Sequence, residues 1–288
     1  VQRTQALVRG VIADVVIPYS SAEEPDLDRL KHESKVLDQS GVDGLCIGGV
    51  LGGTLGATPA ELSALCSTVR RSSAKPLFAI VFPDATPEGF EMARAVDEAG
   101  ADVILVGQPH YLAQPGTEGL EEMFAGFRDV TSRPLLVADC LPGSILGVPS
   151  IRKLVDKRLV DGVLEAADMH VVVDLLCLRL AVPVYACVED LHYPSLVLGA
   201  RGVISNLASV FPSECVALYA AIENRDHAKA RKIHERLVRL ARVLSLGTEG
   251  EARLRLALAA RGRPVGPAKS PYGKLPQHAV QQVHNILE

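Results

Sequence analysis

Eight short apolar runs recur between residues 10 and 224, and their spacing constrains the fold more than any other feature of the chain. They are VIADVVIP (11–18), GLCIGG (44–49), PLFAIVF (76–82), DVILVGQ (102–108), PLLVADC (134–140), GVLEA (162–166), PVYACVE (183–189) and GVISN (202–206). Longer amphipathic segments separate them. A strand that is apolar on both faces needs cover on both sides, which a parallel sheet flanked by helices provides. Eight such units are the number that closes a (β/α)8 barrel. The expectation is therefore an α/β protein, a (β/α)8 TIM barrel over residues 1–224.

The connecting segments carry helix punctuation. Thr58-Pro59-Ala60-Glu61 has the form of a capping box with proline at the first helical position. Thr86-Pro87 and Pro149-Ser150 mark two further starts, and Asp168 reads as the N-cap of the helix after the sixth run. LDRLKHESKVLDQSG and EMARAVDEAG end on Gly41 and Gly100, directly before a strand. After residue 225 the strand pattern stops. HAKARKIHERLVRLARVLSLG and EARLRLALAARG read as helices, and the Pro- and Gly-rich RPVGPAKSPYGKLP leads into a last short one. Residues 225–288 are thus expected to form a C-terminal helical appendage.

Composition narrows the class. The chain has 288 residues, 48% of them hydrophobic, enough for one large core. Its formal net charge is −4, from 30 basic and 34 acidic residues without long single-sign runs, so it carries no electrostatic footprint for nucleic acid or an anionic membrane. No stretch approaches the ~20 apolar residues of a membrane span, and the start, VQRTQALVRG, lacks the apolar centre of a secretory signal. A cytoplasmic protein is the expectation. Cys46, Cys66, Cys140, Cys177, Cys187 and Cys215 have no C-x-x-C or other metal-ligand spacing and read as small buried hydrophobes in a reducing compartment.

In a barrel of this kind chemistry gathers at the C-terminal ends of the strands. The glycine-rich GGVLGGT (48–54) ends the second run, but it has neither the Lys-Ser/Thr of a P-loop nor the spacing of a dinucleotide turn, so no cofactor is expected. Tyr19, His110, Tyr111, Asp139, Cys140, Glu165, Glu189, Asp190 and His192 are the mouth residues with usable side chains.

GVDGLCIGGVLGGTLGATPAE resembles the strand-two motif of the dihydrodipicolinate synthase and N-acetylneuraminate lyase superfamily, whose usual form is G-V-x-G-[apolar]3-G-T-T-G-E. The likeness continues through EAGADVILVGQPHY, PLLVADCLPG, GVLEAAD and LVLGARGVIS. The resemblance implies a class I aldolase or lyase fold, in which a lysine of the motif G-[IV]-K-[DE]-[SA] forms a Schiff base with pyruvate or a related 2-oxo acid. Aligned on Gly162, Glu165 and Ala166, that lysine position is Leu164, which has no nucleophilic atom. The two threonines that bind the substrate carboxylate fall on Val50 and Leu51, and the motif glutamate falls on Gly53. The strand-five tyrosine falls on Ala138 or Asp139, and a carboxylate-binding arginine falls on Ser144. Pro109-His110-Tyr111 retains a family segment whose second aromatic reaches a neighbouring subunit. The resemblance thus implies a homo-oligomer, a tetramer built as a dimer of dimers, and a small 2-oxo acid or related carboxylate as ligand. Gly49, Val50, Leu51, His110, Tyr111, Asp139, Cys140, Leu164 and Ser205 are the corresponding pocket candidates.

These residues support a homologue that has lost the Schiff-base mechanism and acts as a pseudoenzyme or binding protein. The alternative is a lyase or aldolase of a 2-oxo or hydroxy acid that works without an imine, through Asp139, Glu165 and Glu189. These three carboxylates at adjacent strand ends could act as acid and base or hold Mg²⁺ or Mn²⁺. The simpler expectation for such acids is pairing or helix capping, with no metal. A third possibility keeps the imine through a displaced Lys153 or Lys157. A Cys140–histidine nucleophile is weighed against a plain core cysteine, and the latter is favoured.

Overall fold

All eight runs become strands, each starting within a residue or so of where the pattern placed it. The computed structural model describes residues 6–20, 24–107, 115–141, 145–166, 168–245, 249–269 and 274–288. The strands are β1 (Gly10–Asp14), β2 (Gly44–Ile47), β3 (Leu77–Val81), β4 (Val103–Gly107), β5 (Leu135–Asp139), β6 (Gly162–Glu165), β7 (Val184–Ala186) and β8 (Gly202–Ser205). They are parallel and close in sequence order, with Gly10 opposite Gly202 at the β1–β8 seam.

Side chains alternate across the barrel wall because the strand period is two. One set, including Ile12, Cys46, Phe78, Leu105, Leu136, Leu164, Tyr185 and Ile204, fills the bore. The other, including Val11, Leu45, Ala79, Val137 and Val163, packs against the helices. Leu7 joins the bore cluster at its N-terminal end, and the Arg201 guanidinium holds the Leu7 carbonyl there at 2.9 and 3.1 Å. At that end Asp43, Asp102 and Asp161 each accept the first free N–H of the preceding strand, from Val11, Leu77 and Leu135 at 2.9 Å. These bonds satisfy donors that would otherwise be stranded at the sheet rim.

The helices are α1 (Leu27–Gln39), α2 (Pro59–Ser72), α3 (Thr86–Glu98), α4 (Thr117–Val130), α5 (Gly147–Asp156), α6 (Met169–Cys177), α7 (His192–Val197), α8 (Leu207–Val210) and α9 (Pro212–Glu223). The capping box of α2 is formed, with Thr58 accepting from Glu61 N–H and the Glu61 carboxylate accepting from Thr58 N–H at 2.8 Å. Thr58→Ala is expected to cost about 1 kcal/mol in a urea melt; an unchanged midpoint would show that the box is idle. Asp168 caps α6 by accepting from His170 N–H at 2.7 Å. The α3 start, by contrast, has no side-chain cap.

The appendage comprises α10 (His227–Leu244), α11 (Gly250–Ala260) and α12 (Gln277–Leu287). Leu237, Leu240, Ala241 and Leu244 of α10 belong to the same hydrophobic cluster as the barrel wall. No described helix is long and apolar enough to cross a membrane. Cys46, Cys66 and Cys215 are buried as expected and Cys140 and Cys187 half-buried, but Cys177 is exposed at the end of α6. It is the last residue of α6, where packing does not close over it.

Candidate functional site

A cavity of about 490 Å³ opens at the C-terminal ends of the strands. Its floor is hydrocarbon, built from Val50, Leu51, Ile80, Phe82, Leu164 and Ile204. The remainder includes Gly49, the thiols of Cys140 and Cys187, Asn206, the acids Asp14, Glu189 and Asp190, and Arg242 and Ser245 from the α10 side. Leu164 is 1% exposed and points into the bore.

Asp14 ends β1 and faces this cavity. Its signal in the sequence is one acid inside the otherwise apolar run VIADVVIP. Its Oδ2 accepts from Asn206 Nδ2 at 2.6 Å, while its Oδ1 has no well-formed hydrogen bond among the described residues. Burial, opposed by the Asn206 bond and a backbone bond from Gly49 and reinforced by the charge of Glu189, pushes the Asp14 carboxyl up to about 7. Gly49 makes room for it, since a Cβ there would overlap the Asp14 carboxylate.

Glu189 borders the cavity but its oxygens are occupied. Oε1 accepts from Asn206 N–H at 2.6 Å and Leu207 N–H at 3.3 Å, and Oε2 accepts from the Ser205 hydroxyl at 2.7 Å. Ser205, a pocket candidate, is thereby buried behind Glu189 and does not line the cavity. His192 is also buried, with Nε2 3.3 Å from Glu189 Oε2. Asp190 pairs with the largely exposed Arg242 at 3.3 Å.

Asp139 and Glu165 do not converge on the mouth. They sit opposite each other across β5 and β6, on the face turned away from the bore. Asp139 Oδ2 accepts from Leu146 N–H and Glu165 Oε1 from Asp168 N–H, both at 3.0 Å, so the two acids tie down the loops that lead into α5 and α6. Burial raises the Asp139 carboxyl above its ordinary range. The alternative of a three-carboxylate cluster is therefore not what these positions form, because residue 139 follows the inward Ala138 and residue 165 follows the inward Leu164. Among the described residues no group of three or more His, Cys, Asp or Glu is arranged to hold a metal ion.

Cys140 does line the cavity, yet burial holds its thiol well above the ordinary range, so it is protonated and a poor nucleophile. Tyr19 lies outside the cavity, donating to the Gly53 carbonyl at 2.6 Å. His110, Tyr111 and Ser144 lie outside the described residues.

The chain matches the dihydrodipicolinate synthetase family over residues 7–288. It belongs to that family. A 4-hydroxy-tetrahydrodipicolinate synthase of Streptomyces coelicolor is 28% identical over 263 residues, covering 89% of this chain and 86% of its own. One from Methanothrix thermoacetophila is 25% identical over 286 residues, covering 98% and 96%. Among solved structures, dihydrodipicolinate synthase from Thermotoga maritima superimposes with a TM-score of 0.90 at 23% identity, covering 98% of both chains. A monomeric dihydrodipicolinate synthase variant gives 0.90 at 22%, covering 99% of this chain and 97% of its own.

Of the positions that the resemblance assigns, Val50, Leu51 and Leu164 line the cavity, whereas Gly53, Ala138 and Asp139 do not. Val50 and Leu51, at the threonine positions, form a 3-10 turn over Val50–Gly52 and line the mouth with hydrocarbon. Gly53, at the motif glutamate, is in the left-handed region at φ 85°, and a Cβ there would meet Arg255 Nη2 at 2.5 Å and Glu251 Oε1 at 2.8 Å. A buried ion pair from α11 thus occupies the space beside this loop. No lysine is among the described residues that line the cavity, and Lys153 and Lys157 are exposed on the outer face of α5 and at its end.

Proposed function

We propose that this member of the family has lost imine chemistry and that its barrel mouth binds a small molecule without covalent attachment. The observation that carries this reading is Leu164, a buried alkyl side chain lining the cavity at the motif's lysine position. An imine needs a primary amine within reach of a keto carbon, and a leucine offers none. The loss of both hydroxyls at Val50 and Leu51 supports the same reading, since it removes donors for a substrate carboxylate. A non-imine lyase resting on Asp139, Glu165 and Glu189 draws little support, because only Glu189 borders the cavity and its oxygens already cap α8. A displaced lysine draws none from the exposed Lys153 and Lys157.

Incubation with pyruvate followed by borohydride should leave the intact mass unchanged, while a relative that keeps the motif lysine gains a reduced adduct in the same experiment. A stoichiometric adduct on this chain would overturn the reading.

A further inference from the structure

We propose that the ligand of this cavity is a small primary ammonium with an apolar body, its cationic head held by Asp14 and its hydrocarbon laid against Leu51, Phe82, Leu164 and Ile204. This rests on the reading that the mouth binds its ligand non-covalently, and it reverses the charge class that the family resemblance implies.

Three observations converge on it. First, Asp14 lines the cavity and is only 3% exposed, and although its carboxylate takes a side-chain bond from Asn206 and a backbone bond from Gly49, its Oδ1 is left without a well-formed hydrogen bond among the described residues. A buried acceptor left unmade is costly, and an ammonium N–H is the strongest donor that would satisfy it. Second, the charges are wrong for a carboxylate ligand. Asp14, Glu189 and Asp190 face the space, against Arg242 alone, and Arg242 is already paired with Asp190 with its side chain 71% exposed. At partly buried positions like charges repel by several kcal/mol at ~4 Å, so an anion is disfavoured and a cation drawn in. Third, neutral donors are scarce. The Asn206 amide is spent on Asp14, and the family's two hydroxyls are Val50 and Leu51. The size, about 490 Å³, suits a small molecule.

The pH dependence follows from the groups around Asp14. Besides Glu189, Asp190 and Arg242, the thiols of Cys46, Cys140 and Cys187 face it from β2 and from the ends of β5 and β7, all held protonated by burial. An alkylammonium keeps its charge to about pH 10, so affinity rises with pH as Asp14 ionises, from about pH 6 to about pH 8.

Calorimetric titration of the full chain with n-hexylamine, 1-hexanol and hexanoate tests this. Hexylammonium should bind at least about tenfold more tightly than hexanol, and hexanoate should not bind. Asp14→Asn, its fold checked by circular dichroism, should lose about tenfold or more of the hexylamine affinity and the pH dependence with it. No hexylamine binding, equal binding of hexanol or hexanoate, or an Asp14→Asn protein that binds as the parent does would each overturn the proposal. Borohydride trapping of pyruvate is read separately: an adduct there overturns the non-covalent reading, whereas absent amine binding without an adduct overturns the ligand class alone.

Discussion

Asp14→Asn is expected to be more stable than the parent protein at pH 8, by on the order of 4 kcal/mol, with the difference vanishing below about pH 4. The sign follows from linkage. An unfolded aspartate titrates near 3.8, while burial, with Glu189 adding like charge, pushes folded Asp14 up to about 7. Between those values the folded state holds a proton that the unfolded state has released, so stability falls as pH rises from about 4 to about 7 and is level above. An amide of the same shape cannot ionise and escapes that fall. Urea melts of both proteins at several pH values provide the measurement, and parallel pH profiles would sink the prediction. A residue that weakens the fold at working pH while lining a cavity is what a binding site looks like, because preorganised polar groups are held for a ligand at the expense of stability.

Glu251→Ala is expected to cost about 3–5 kcal/mol, because it leaves a buried guanidinium without its counter-charge. Glu251 and Arg255 lie one turn apart on α11 with side chains 5% and 3% exposed and approach to 2.8 Å. Arg255 also donates to the Val265 carbonyl at 3.1 Å and stands 5.2 Å from the centre of the Tyr19 ring, so it cannot swing into water without unpacking the segment beneath the mouth loop. Replacing both residues, Glu251→Ala with Arg255→Met, should recover much of the loss, because no charge is then stranded. Thermal and urea denaturation of the single and double variants decide it; a single-variant loss below about 1 kcal/mol would show that the pair is solvated in practice.

The strand runs and the Thr58 capping box were legible because each depends on neighbours in sequence: apolar character sets what must be buried, and a cap joins residues three apart. The absence of an amine at residue 164 was legible for a related reason, since side-chain chemistry is read directly from residue type. Which way Asp139 and Glu165 point was harder to see. A strand buried on both faces has no polar side to show its phase, so acids at its end could be assigned to the mouth. Once Leu164 is known to face the bore, the two-residue period sends Glu165 to the other side.

Asp14 escaped notice for the opposite reason. One acid inside VIADVVIP is a slight interruption in a strand pattern, and nothing local marks it as lining a cavity. Its partners are distant in sequence: Asn206 is 192 residues away, and the space at Gly49 comes from the loop after β2. The sequence by itself determined a closed eight-stranded barrel, the helices that follow it and the alkyl side chain at residue 164, because those follow from residue type and short-range periodicity. Only the tertiary structure decided that Asp14 and Glu189 border the cavity while Asp139 and Glu165 hold loops, because a carboxylate's role depends on the strand phase and barrel register that set what lies opposite it.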